Sequence, residues 1–348
     1  MKKLTALLLT TAAVLSLAAC SGGGEAAEGD SGAAVSGAES GGSEASGERQ
    51  IKDEIIFAQS SDLTTMDPAI GTQERAYSLT NHMYDTLFVF DSEMNMSNHL
   101  AKSYEWLDDV TLQMKLQEGV KFHNGDPLTA QDVIFTFQRC AERGSAFANY
   151  IDVAAMEAPD DYTVIFPFTS PHPSFIYQLT DPLFGIVPKD YFESVGEEGF
   201  AKDPIGSGPY KLKEYVTGDY YTLERFDDYW GEKAKTKYLT MKIVPEAGQR
   251  TIMLETGEID VAYEIPYVDA AKIQENPDLQ FLSTPSMKIV MYYVNTQSAS
   301  PLKDKRVRQA LEYAIDKEAI VEAVCYGYGE PAYAIVPESV VEYLPLDD

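Results

Sequence analysis

Between Val110 and Arg143 the apolar positions change period once. Val110, Leu112, Met114 and Leu116 alternate with polar residues, which predicts a strand with one buried face. Gly119 interrupts the alternation and Val120 and Phe122 resume it, so a bend or bulge is expected near Glu118–Gly119. Asn124-Gly125-Asp126-Pro127 is a turn signal. Thr129 then stands as an N-cap with Asp132 three residues on, close to a capping box. Val133, Phe137 and Cys140 follow at i, i+4 and i+7, an amphipathic helix laid against a sheet. The unit is architectural. It carries no nucleophile, metal cluster or phosphate loop.

The same patterning predicts elements along the chain. Ile51–Gln59 reads as a first strand, followed by a polar loop over Ser60–Asp67. Leu79, Met83, Leu87 and Phe90 fall at helical spacing within Arg75–Phe90. Tyr162, Val164 and Phe166 alternate after a Pro159–Asp161 turn; Leu183–Val187 reads as another strand and Pro188–Val195 as a short helix. Tyr210–Tyr215 and Tyr220–Arg225 form a hairpin, Lys237–Val244 a strand, Ala247–Thr256 and Tyr267–Glu275 helices. Ile289–Asn295 is apolar and β-rich. Val307, Ala310, Leu311, Ala314 and Ile315 make an amphipathic helix, and Asp316 caps the next, which ends near Gly327. Strands alternating with helices predict an α/β fold.

Composition changes the picture in one respect. The 348 residues carry 55 acidic against 27 basic side chains, a net charge of −28. Such a surface repels nucleic acid, so no nucleic-acid partner is expected. Lys2 and Lys3 precede an apolar stretch, Leu4–Leu17, too short for a stable membrane span. Leu17-Ala18-Ala19-Cys20 matches the lipobox of bacterial lipoproteins and assigns Cys20 as the lipidated residue after processing. Ser21–Glu48 holds six acidic residues, no basic one and no aromatic. It cannot bury enough surface to fold and reads as an acidic tether. The remaining cysteines, Cys140 and Cys325, do not make a disulfide framework and are expected as buried free thiols. The four histidines show no paired ligand spacing, so no metal or cofactor is expected. Gly206-x-Gly208 is followed by Pro209 and a strand, not by a helix N-terminus. It is no phosphate loop, and its glycines are expected to supply a tight turn.

Several segments together carry a resemblance. They are Leu100–Trp106 (LAKSYEW), Lys121–Val133 (KFHNGDPLTAQDV), Asp203–Tyr210 (DPIGSGPY), Asp227–Gly231 (DDYWG), Gly257–Ala262 and Pro301–Gly329. The chain resembles the family 5 extracellular solute-binding proteins, the peptide and nickel receptors of ABC importers. The resemblance implies a two-lobed, periplasmic-binding-protein-like α/β fold of class II, the peptide-binding type with an extra subdomain. It implies lobe I from 51–87 and 181–288, an inserted subdomain from 88–180, and a hinge strand with the start of lobe II from 289–348. The family runs well past Asp348, so the second lobe is expected to be incomplete. Ile70, Gly71 and Thr72 would line the ligand cleft, with Tyr292, Tyr293 and Asn295 close to it. For the tyrosines, packing in a core or an interlobe seam stays open. Gly125, Asp132, Gly206, Gly208, Pro209, Tyr210, Trp230, Arg306 and Arg308 belong to the matching motifs, the two arginines on a solvated face with local salt bridges.

The implied function is peptide capture between closing lobes and delivery to ABC permease subunits with their cytoplasmic ATPases. The chain would do no covalent chemistry and would act as a monomer held by lipid on the outer face of the cell membrane. A nickel chelate, haem, opine or oligosaccharide ligand stays open, as do a secreted hydrolase using paired carboxylates and a surface adhesin.

Overall fold

The computed structural model describes residues 51–70, 74–283, 288–297 and 300–334. Cys20, the tether, Gly71, Thr72 and the last fourteen residues lie outside them.

Two sheets organise the described chain. The first has five strands in the order β11-β1-β10-β9-β8: β1 (Glu54–Gln59), β8 (Tyr210–Val216), β9 (Tyr220–Arg225), β10 (Tyr238–Ile243) and β11 (Val261–Ala262). β1 is parallel to both β10 and β11, while β8–β9 is an antiparallel hairpin added beside β10. Alternation along β1 serves two cores. Ile55 and Phe57 pack with Leu79, Met83, Tyr221, Leu239 and Met241 on one face. Ile56 and Ala58 pack with Val244, Met253 and Ile259 on the other. Both faces are therefore covered, as parallel strands require.

The second sheet is antiparallel, in the order β4-β5-β7-β6: β4 (Ala101–Asp108), β5 (Thr111–Leu116), β6 (Glu157–Asp160) and β7 (Thr163–Pro167). Leu112, Met114, Leu116, Val164 and Phe166 are buried beneath α2 (Ala130–Glu142). Phe137 of α2 centres an aromatic cluster with Phe147, Phe166 and Phe184, ring centroids 5.1–5.4 Å apart. The Asp132 carboxylate at the start of α2 accepts the Thr129 backbone N–H (2.8 Å) and hydroxyl (2.9 Å) through one oxygen, and the Lys189 N–H (2.9 Å) through the other. It thereby also fixes the entry to α4 (Lys189–Lys202), which kinks at Gly196. A short pair, β2 (Phe88–Phe90) and β3 (Met96–Asn98), precedes this sheet.

The remaining helices are α1 (Glu74–Met83), α3 (Phe175–Gln178), α5 (Ala247–Thr256), α6 (Tyr267–Glu275), α7 (Lys305–Ala314) and α8 (Lys317–Cys325). α7 and α8 begin at Asp304 and Asp316, whose side chains accept the N–H groups of Arg306 and Ala319.

Four expectations need correction. The helical spacing through Phe90 overran its helix: α1 stops at Met83, where the Gly208 N–H takes the Met83 carbonyl (2.9 Å), and Leu87 and Phe88 are buried by later chain. Leu183–Val187 is no strand. Asp181 caps a single 3-10 turn over Pro182–Phe184, and the Val187 N–H finds the Thr136 hydroxyl (3.1 Å) instead of a neighbouring strand. Ile289–Asn295 pairs with no strand among the described residues. Val290 and Tyr293 are each 90% exposed there, because a strand needs a partner and composition supplies none. Of the cysteines, Cys140 is buried, its thiol pushed up to about 12 by burial, but Cys325 is only half-buried.

Candidate functional site

Two buried polar groups join the motifs singled out in the sequence. Asp85, just past α1, is almost wholly buried. Its carboxylate accepts from Trp230 Nε1 (2.9 Å), Tyr229 Oη (3.2 Å) and His99 Nε2 (3.0 Å), so two segments, at His99 and at Tyr229–Trp230, meet on one carboxylate. Burial and the Asp85 charge hold the Tyr229 hydroxyl well above its usual range.

His123, in the turn before α2, brackets the Gly206–Gly208 loop. Its Nδ1 accepts the Gly206 N–H (3.2 Å), its Nε2 donates to the Gly208 carbonyl (3.0 Å), and its own N–H donates to the Gly206 carbonyl (2.9 Å). This pattern assigns the neutral tautomer protonated at Nε2. Burial lowers the imidazole to about 4. Neither glycine has positive φ, so the expected tight-turn role is replaced by close approach. A Cβ on Gly206 would stand 2.0 Å from the Met83 carbonyl oxygen, and one on Gly208 2.6 Å from that of His82. Pro209 and Tyr210 carry this loop into β8, where Tyr210 Oη donates to the Thr236 carbonyl (2.8 Å).

The carboxyl ends of β1, β10 and β11 carry polar side chains, at the place where ligands sit in parallel α/β sheets. Gln59 ends β1 and donates to the Ser61 carbonyl (3.0 Å); Ser78 of α1 reaches back to Gln59 (3.4 Å) and Tyr221 (3.1 Å). Asp62 accepts from Tyr215 Oη (2.9 Å) and the Gly218 N–H (2.7 Å), tying the tip of the β8–β9 hairpin to the loop after β1. Arg250, fully buried on α5, donates to the carbonyls of Val244, Pro245, Tyr263 and Glu264. Separately, Tyr77, Phe90, Met94, Phe147, Tyr177 and Phe184 line a groove of about 560 Å³. Polar strand ends suit an extended ligand with a hydrogen-bonding backbone. Among the described residues no group of His, Cys, Asp and Glu could hold a metal ion.

Ile70 lies on the loop into α1, 42% exposed, its N–H on the Asp67 carbonyl (3.2 Å). Tyr292 and Tyr293 are exposed, and Asn295 accepts the Gln297 N–H (2.9 Å). No described hydrogen bond or ring contact joins these three to Ile70. Gly71 and Thr72 lie outside the described residues. Gly125, φ +93°, forms the turn before α2. Arg306 pairs with Asp304 at 2.6 Å on the surface, and Arg308 donates to the Leu302 carbonyl (2.9 Å). Asp85, Arg250 and Glu264 were not expected at a site, and His123 stood only within a matching motif. Arg250 gave no signal of its own: Gln249 and Thr251 flank it on α5, and an arginine among polar neighbours reads as exposed.

The fold is that of two-lobed periplasmic binding proteins, covered in part. The oligopeptide-binding protein AppA of Bacillus subtilis, solved with a nonapeptide, is 29% identical with a TM-score of 0.77, over 85% of this chain and 60% of that one. The periplasmic binding protein DppA of Helicobacter pylori, solved with the peptide STSA, is 25% identical with a TM-score of 0.73, over 83% and 62%. The glutathione-binding protein GsiB of Escherichia coli K12 is 32% identical over 294 residues, 82% of this chain. The chain spans 57% of that relative's length. The profile of the bacterial extracellular solute-binding proteins, family 5 middle region, matches residues 95–348. The chain therefore belongs to the family 5 bacterial extracellular solute-binding proteins.

Proposed function

We propose that this chain is the solute-binding component of an ABC importer, that it captures peptides, and that lipid on Cys20 holds it at the outer face of the cell membrane. The observation that carries the peptide reading is the polar carboxyl end of β1, β10 and β11 in a fold whose relatives include proteins solved with peptides. Extended peptide backbone is satisfied by such strand ends. Binding and closure need no covalent step. Delivery to permease subunits would follow from lobe closure around the ligand.

Glutathione is the second reading, favoured by the relatives named for it at 32% identity. Native mass spectrometry of the full chain with a random tripeptide library, and separately with glutathione, tells the two apart. Adducts across many library masses support the general peptide receptor. Retention of glutathione alone supports the narrower ligand, and retention of neither refutes both.

The anchor has its own test. Cys20→Ala should leave an unprocessed precursor or release the protein into the medium, read by fractionation and by labelling with a radioactive fatty acid. Undiminished label in the variant would remove the lipid assignment. Among the described residues no helix is long and apolar enough to cross a membrane, and two acyl chains at about 0.8 kcal/mol per buried methylene suffice for anchoring.

A further inference from the structure

β11 ends at Ala262, and the next two residues leave the sheet at its carboxyl end. Glu264 has φ +55°. That is the left-handed region, which suits glycine and strains a glutamate. Strain of this kind persists only where the surroundings fix it, and it gathers at ligand sites. Here Arg250 fixes it. The buried guanidinium donates to the carbonyls of Tyr263 (3.0 Å) and Glu264 (2.8 Å) on one side and of Val244 (2.7 Å) and Pro245 (3.0 Å) on the other. It clamps together the chain leaving β10 and the chain leaving β11. The side chains so presented are exposed. Tyr263 is half exposed, its ring stacked against Phe57 at 6.1 Å. Ser60, at the end of neighbouring β1, donates to Glu264 Oε2 (2.6 Å). A glycine would make the same turn without strain. The glutamate instead brings a carboxylate to the point where three parallel strands end.

We propose that Glu264 is a ligand-contacting residue whose carboxylate accepts a hydrogen bond from an N–H group of the bound peptide, either its ammonium or a backbone amide. The assignment rests on the peptide reading above. A carboxylate offers about four acceptor positions, so it can hold the Ser60 hydroxyl and a further protein partner and still take a ligand donor. A charged acceptor favours N–H donors over carbonyls and strengthens the contact. Arg250 is a positioning residue that acts through the backbone of Tyr263 and Glu264.

The test compares wild type, Glu264→Gln and Glu264→Gly, all as the full chain, against a random tripeptide library and its N-acetylated counterpart by native mass spectrometry, with melting temperatures alongside. Both variants should bind the free library about tenfold more weakly or worse. Glu264→Gly should melt at the same temperature as wild type or higher, because it relieves the backbone, whereas a purely structural glutamate would melt lower when replaced and leave affinity alone. If wild type loses the acetylated library, the ammonium is the partner; if wild type keeps it and Glu264→Gln loses it, a backbone amide is. Wild-type affinity in both variants for both libraries would overturn the role of Glu264 and leave the peptide reading standing. Failure of wild type to bind either library would overturn the peptide reading and this assignment with it.

Discussion

Asp67→Asn is expected to cost about 3–5 kcal/mol of unfolding free energy, because it removes the counter-ion of a buried arginine. Asp67 and Arg139 are 2% and 5% exposed, and their side chains meet at 2.5 Å. The guanidinium lies on the Phe192 ring, 3.8 Å from its centre. Asp67 Oδ1 also accepts the Ala69 N–H (3.0 Å). The pair links the loop leaving β1 to α2, so it joins the parallel sheet's side of the molecule to the antiparallel one. An asparagine keeps the volume and the Ala69 contact but leaves a positive charge among Phe135, Phe192 and Phe200. Urea unfolding measures the loss. Adding Arg139→Met to the same chain should recover much of it, since replacing a buried pair by apolar volume is often neutral. A single-variant loss under about 1 kcal/mol would rank the pair with screened surface bridges and refute its burial.

The second large effect is one of pH. An unfolded histidine takes up a proton near 6.5, whereas folded His123 resists until about 4. Between those values the unfolded chain binds the extra proton. The His123 contribution is therefore complete above pH 6.5 and lost as pH falls to about 4. At about 1.4 kcal/mol per pH unit the loss reaches about 3 kcal/mol, reduced somewhat because the residue is only half-buried. Protonation turns Nδ1 into a donor facing the Gly206 N–H, so the loop and the turn before α2 separate. His123→Gln keeps one donor and one acceptor and cannot titrate. Subtracting its stability-versus-pH curve from that of wild type cancels the carboxylates common to both. The difference should grow by about 2–3 kcal/mol from pH 7 to 4.5, and parallel curves would show that the ring titrates as in the unfolded chain.

What could be read from the sequence was local. The α2 cap, the β8–β9 hairpin and the spans of α5 and α6 follow from turn residues and periodicity within a dozen positions. Where α1 ends was not local, since Leu87 and Phe90 keep the helical spacing by coincidence while a loop from Gly206–Gly208 closes on Met83. The glycines of that loop read as turn-formers because glycine most often serves φ. Their task is to let one backbone touch another, which no spacing reveals. Asp85 gave no signal at all: its partners stand at His99, Tyr229 and Trp230, and an acidic chain has many carboxylates to choose among. Of the site expected by resemblance, Ile70, Tyr292, Tyr293 and Asn295 are placed but not assembled, whereas the strand ends and the Arg250 clamp came only with three-dimensional register.

The pairing of β1 has a consequence for the order of assembly. Glu54 pairs with Tyr238 and Phe57 with Val261. The first strand among the described residues thus waits for partners that follow the whole antiparallel sheet in the chain, whose own strands lie between Ala101 and Pro167. Closing so long a loop is slow, and contacts of high sequence separation come late. Contact order therefore favours early condensation of the antiparallel unit, with the parallel sheet completed only after β10 and β11 emerge.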